Sequence, residues 1–171
     1  MQYQIKRLTP EDAEQYHQIR LEGFRLQYRE FRYSPEDEMS LPPGAIATRL
    51  QRDFVVRAYM QDELIGIGGI TRCAGFKLNH RAILWRMYVR PNYRRKGVAN
   101  VVMDELLTYA HERNIERIIL TVVSENVKAI NFYKHYGFIP YGVDASAIKL
   151  RGGTYLDEVL MAHSLLPKKR Q

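Results

Sequence analysis

The chain has 171 residues, a hydrophobic fraction of 46% and a formal charge of +7, with an isoelectric point near 9.5. That length suits one domain with a single buried core, and the apolar content excludes intrinsic disorder. No apolar run approaches the ~18 residues of a membrane span, and the first residues lack the apolar core of a signal peptide, so a cytoplasmic location is the default expectation.

In chain order, residues 4–8 read as a short first strand. Thr9 and Pro10 then start a helix, as N-cap and first helical residue, with Glu11 and Asp12 in its first turn. The helix runs to about Gly23. Residues 24–45 carry Phe24, Tyr28, Phe31 and Tyr33, a polar turn or cap at Ser34–Glu38, and the chain break Leu41-Pro42-Pro43-Gly44. Such an aromatic segment between a first helix and a sheet suits the lining of a binding site, or equally a plain helical cover. A short helix is expected over residues 45–51.

Strands follow at 54–60, 64–72 and 82–89; Gly66, Gly68 and Gly69 in the second suggest a bulge or close backbone packing. Cys73, the only cysteine, allows no intrachain disulfide and reads as a buried thiol at the end of that strand. Val98, Val101, Val102, Leu106 and Ala110 recur at helical spacing, and 115–123 is a β-branched strand, so this stretch reads as a βαβ unit with parallel pairing. A last helix opens at Glu125-Asn126 and ends at Gly137, and strands at 138–149 and 154–163 flank a Gly152-Gly153 turn. The order predicts an α/β fold with a mixed sheet covered by helices, one domain over 1–166, and a basic C-terminal tail over 167–171.

The basic balance suits polyanion ligands without choosing between nucleic acid and a phosphorylated cofactor. The segment Arg94-Arg95-Lys96-Gly97-Val98-Ala99 is more specific, because it joins a strand to a helix start. The first N–H groups of a helix have no internal partners and carry partial positive charge, which suits a phosphate. Gly97 and Ala99 leave room for close approach, and Arg94, Arg95 and Lys96 add charge. An exposed helix start with incidental basic residues fits the turn equally well. It is neither a Walker loop nor a dinucleotide fingerprint, since the required glycines and Ser/Thr are missing. About thirty residues downstream lies Asn126-Val127-Lys128-Ala129-Ile130-Asn131-Phe132-Tyr133, followed by Gly137-Phe138; Asn126 and Tyr133 share one helix face two turns apart.

Together the two segments closely resemble the GNAT N-acetyltransferase superfamily, strongly over residues 83–138 and elsewhere in element order only. The Arg/Gln-x-x-Gly-x-Gly/Ala turn of that family appears as Arg94 to Ala99, and its Asn…Ala…Phe/Leu-Tyr…Gly-Phe helix as Asn126, Ala129, Phe132-Tyr133 and Gly137-Phe138. The resemblance implies a GNAT fold with about seven strands, flanking helices and a parallel pair, 82–89 and 115–123, that splays apart to admit acetyl-CoA. It implies that the backbone of Met87, Tyr88 and Val89 bonds the pantetheine and receives the acetyl group. Amides of Arg95, Lys96, Gly97, Val98, Ala99 and Asn100, with Arg94, would cradle the pyrophosphate, Asn126 and Ala129 would line the pantetheine arm, and Tyr133 would protonate the departing thiolate or merely contact the sulfur.

The implied reaction is direct acetyl transfer from acetyl-CoA to a primary amine, on a small molecule or on a peptide or protein, with no metal, nucleic acid or membrane partner. A catalytically silent acyl-CoA sensor is the alternative, and a homodimer is the assembly common in the family. This chain departs from familiar patterns at the general base, where Arg86 and Thr121 occupy places that hold Glu in some relatives. Glu30, Glu36, Glu38 and Glu158 remain as candidate bases, not ranked by sequence. Arg86 is expected in a structural ion pair or, alternatively, against a substrate carboxylate, and Tyr88 beside it is expected to bear on substrate choice.

Overall fold

A computed structural model describes residues 3–166; the expected basic tail lies outside them. Strand β1 (Gln4–Arg7) leads through a 3-10 turn at Pro10–Asp12 into α1 (Ala13–Leu26). Thr9 donates its backbone N–H to Asp12 Oδ2 at 2.8 Å, which fixes the helix entry. The polar turn at Ser34 proves to be a capped helix, α2 (Pro35–Met39), whose Asp37 N–H donates to Ser34 Oγ. Helix α3 (Ala45–Arg52) follows Gly44, and β2 (Phe54–Met60), β3 (Glu63–Arg72) and β4 (Arg81–Val89) form an antiparallel run. Cys73 falls just beyond β3, its N–H still donating to Arg81 O at 2.9 Å, and is half-buried rather than buried as expected.

Helix α4 (Val98–Glu112) returns the chain to β5 (Arg117–Val123), and α5 (Val127–His135) leads to β6 (Ile139–Lys149) and β7 (Tyr155–Ser164). The seven-stranded sheet has the order β1-β2-β3-β4-β5-β7-β6. Among the described residues only β4 and β5 run parallel, joined by the α4 crossover that such pairing requires. The fold class is therefore the expected α/β arrangement with one parallel pair.

Alternating side chains of the central strands divide between two cores, as the period of two demands. Val56 and Ile65 face Val98, Val102, Met103, Leu106 and Ala110 of α4. Val55, Leu64 and Ile67 face Tyr16 and Ile19 of α1 and Leu50 of α3. Each fully buried aliphatic side chain contributes about 1.5–3 kcal/mol. The β3 glycines serve close packing. A Cβ on Gly68 would lie 2.5 Å from Met87 Sδ and 2.8 Å from Val102 Cγ1, and one on Gly66 would lie 2.8 Å from Val98 Cγ1. Their small size lets α4 settle against the sheet.

Candidate active site

The parallel pairing of β4 with β5 is short. It comprises Arg81–Arg117, Ala82–Ile118 and Ile83–Ile119, after which the strands separate. The cause lies on β4: between the pairs Ile67–Tyr88 and Gly69–Trp85 it carries one residue more than β3. Arg86 absorbs that bulge with φ of +57°, a left-handed conformation costing a non-glycine residue on the order of 1–2 kcal/mol. Beyond Ile83 the β4 edge facing β5 is left without a ladder.

A cleft of about 430 Å³ occupies the opening, within the range of small-molecule sites. Ile83 to Met87 of β4 form one wall and Ile119 to Val122 of β5 the other. Asn126, the N-cap of α5, and Ala129 and Tyr133 within it also line the cleft, as do Phe24, Phe31 and Tyr33. The aromatic segment thus lines the cleft rather than merely covering the sheet. Of the expected site residues, Met87, Asn126, Ala129 and Tyr133 border this cavity. Tyr88, Val89 and the turn Arg94–Asn100 do not; they lie where β4 leaves the sheet and α4 begins.

In the turn, Arg95 and Gly97 adopt positive φ of 59° and 83°. Tyr93 and Arg94 N–H groups bond back to Arg90 and Pro91, and those of Asn100 and Val101 bond to Gly97 O. Among the described residues, the N–H groups of Arg95, Lys96, Gly97, Val98 and Ala99 have no backbone acceptor. These amides at a helix N-terminus fit a pyrophosphate. The side chains divide unequally. Arg94 Nε donates to Val89 O at 2.9 Å and ties the turn to β4, and Lys96 Nζ lies over the Tyr93 ring at 5.7 Å. Arg95 is exposed and makes no side-chain contact with described residues.

Asn126 caps α5: its Oδ1 accepts from Ala129 N–H at 3.2 Å, leaving its amide N–H groups for the cleft. Tyr133 stacks edge-on against Phe132 and Phe138, and its hydroxyl makes no hydrogen bond with described residues. Burial pushes its phenol above the ordinary range, so it stays protonated at neutral pH. Tyr88 turns away from the cleft. Its ring packs on Gly23 and its hydroxyl donates to Glu22 Oε1 at 2.8 Å. Burial, then the bond to Glu22, raises its phenol. Its side chain therefore supports α1 and does not border the cleft, unlike that of Arg86.

Arg86 has no ion pair among the described residues, contrary to the expected structural pair. Its guanidinium lies instead among the rings of Trp85, Tyr33 and Phe24, at 5.2, 5.5 and 6.0 Å. The candidate bases also separate. Glu38 is buried in a pair with Arg20, and Glu36 is exposed and bonds Arg151 at 2.9 Å; neither borders the cleft. Glu30 is an exposed residue on the rim, whereas Glu158 is 2% exposed and held by Arg32. Thr121 lines the cleft without a carboxylate. Arg32, Arg49, Asp53 and Tyr141 also border it. They come from remote elements with no local motif, and the sequence offered no signal for them.

Residues 14–138 match the model of the acetyltransferase (GNAT) family. Spermidine N(1)-acetyltransferase of Vibrio cholerae is 28% identical over 93 residues, 54% of this chain and 51% of that protein. L-amino acid N-acetyltransferase AaaT of Escherichia coli is 36% identical over 75 residues, 43% of this chain and 46% of that protein. The chain thus spans about half the length of these curated relatives. The structure of yncA from Salmonella typhimurium, solved with its cofactor acetyl-CoA, superposes with a TM-score of 0.79 at 14% identity, covering 100% of this chain and 98% of that one. With the family model covering most of its length and the same fold in a solved relative, the chain belongs to the GNAT acetyltransferase family.

Proposed function

We propose that the protein transfers an acetyl group from acetyl-CoA to a primary amine by direct attack in the β4–β5 cleft. The observation that carries this reading is the placement of a strand opening between a turn of unpartnered amides and the Asn126–Tyr133 face of α5. Acetyl-CoA supplies an activated thioester. The amides of Arg95 to Ala99 hold its pyrophosphate, Asn126 bonds the pantetheine arm, and the stretch of β4 from Met87 to Val89, beyond its ladder to β5, receives the acetyl end. These residues also serve a catalytically silent acyl-CoA binder, and turnover separates the two.

The amine enters from the side lined by Phe24, Phe31 and Tyr33. Glu158 takes one proton from the ammonium, and the freed lone pair attacks the thioester carbonyl. A β4 backbone N–H bonds the developing oxyanion, a contribution of about 3–4 kcal/mol in related chemistry. The C–N bond forms, the C–S bond breaks, and the thiolate takes the Tyr133 hydroxyl proton. The second proton lost by nitrogen returns Tyr133 to its neutral form through solvent. The test is release of free thiol from acetyl-CoA across a panel of amines, with the N-acetyl product identified by mass. Acetyl-CoA binding without thiol release for any amine would overturn catalysis and leave a binding module.

A further inference from the structure

Charge around the acceptor end of the cleft does not balance. Arg32 is paired with Glu158 and Arg52 with Asp53, and Glu30 lies exposed at the rim. Arg49 and Arg86 border the same cleft, and neither has a carboxylate partner among the described residues. Behind them lies the buried Arg20–Glu38 pair, so one carboxylate faces three neighbouring guanidiniums. Nη1 of Arg49 is buried with no hydrogen-bond partner. Arg20 is pushed down to about 10, first by burial, with the Arg86 and Arg49 cations adding to the effect. Burial, with Arg49 adding to it, also lowers Arg86. The rings around Arg86 offer π faces, and the pull of the buried Tyr16 hydroxyl and of Glu38, the carboxylate already paired with Arg20, opposes that lowering. An unpaired buried donor is costly, and buried charges are ordinarily paired. The site is short of an anion.

We propose that Arg49 and Arg86 bind the carboxylate of an amino-carboxylate acceptor, in the simplest case a free α-amino acid, with its amine directed to the β4–β5 opening. The proposal rests on the acetyl-transfer reading and adds the substrate class. A guanidinium fork matches a carboxylate in geometry and charge. The same two cations repel a polycationic acceptor, and a protein N-terminus offers no carboxylate next to its amine.

The experiment measures thiol release from acetyl-CoA with α-amino acids, each beside its own carboxamide, and with spermidine. The expected result is a kcat/KM for the preferred amino acid ~10- to 100-fold above that of its carboxamide, with spermidine poorer still. In Arg86→Gln and in Arg49→Gln that ratio collapses toward one, chiefly through the acceptor KM, while the calorimetric Kd for acetyl-CoA holds. Arg86→Lys keeps the charge, loses the fork and falls between. Should Arg86→Gln fail to fold by circular dichroism, the wild-type ratio and Arg49→Gln decide. Carboxamides or spermidine matching the amino acids, with thiol released, would overturn the carboxylate site and leave acetyl transfer standing. Thiol release from no acceptor at all, with acetyl-CoA bound, would overturn the transfer reading and this proposal with it.

Discussion

Gly97→Ala isolates the turn that holds the pyrophosphate in this account. Gly97 is the N-cap of α4, with φ of 83° and ψ of 0°. A Cβ built there would meet nothing within 4 Å, so the substitution causes no clash. Its cost is conformational: an L residue in this region is strained by about 1–2 kcal/mol. If the turn keeps its shape, the whole strain appears as lost stability, a fall in Tm of roughly 2–8 °C for a domain of this size. If it relaxes, the N–H groups of Arg95 to Ala99 move out of line. Each charge-assisted hydrogen bond lost costs about 1.5–3 kcal/mol, or roughly 10- to 100-fold in Kd. Thermal melts and calorimetric titration with CoA read the two outcomes separately. Gly97→Asn is the control, because asparagine tolerates this conformation better. Gly97→Ala matching wild type in both Tm and Kd would refute the reasoning.

Tyr133→Phe removes the proposed proton donor and is expected to lower kcat ~100-fold with little change in the Kd of acetyl-CoA. Because burial raises the Tyr133 phenol, its acid form persists above the ordinary tyrosine range. The wild-type rate therefore shows no loss near pH 10 from this group; a loss there that disappears in Tyr133→Phe would contradict the assignment. Glu158→Gln is expected to depress kcat/KM at neutral pH and to recover as pH rises and the amine deprotonates unaided; a uniform loss at every pH would point to a purely structural role. Gly68→Ala forces a Cβ to within 2.5 Å of Met87 Sδ, and overpacking of this kind costs about 1–3 kcal/mol, read as a lower urea midpoint.

Much of the fold was legible because periodicity and punctuation agreed. Thr9-Pro10, the α4 stripe, the β-branched run of β5 and the stop at Gly137 each reported a local preference that the sheet upheld. The β3 glycines announced a bulge or close packing; Gly66 and Gly68 proved to lie under Val98, Val102 and Met87, and Gly69 against Trp85. The bulge was less legible, since the extra residue falls on β4 at Arg86, an arginine with no intrinsic preference for positive φ. The Asn126–Tyr133 wall of the cleft could be read because its residues form one contiguous motif. The rest was legible only in pieces: Arg86, Glu158 and the aromatic segment were singled out, but not Arg49 or Arg32. Arg49, Arg86, Arg32 and Glu158 meet only after α3, β4, the aromatic segment and β7 have packed, and no spacing encodes that meeting. The same long-range packing separates the candidate carboxylates, pairing Glu38 with Arg20 and placing Glu30 and Glu158 at the cleft.

The central claim concerns where the thioester lies, and a crystal structure of the complex with acetyl-CoA tests it most directly. The pyrophosphate is expected on the amides of Arg95 to Ala99, the acetyl group between β4 and β5 beyond Ile83, and the sulfur within hydrogen-bond reach of the Tyr133 hydroxyl. Acetyl-CoA bound outside the strand opening, or with its sulfur remote from Tyr133, would contradict it.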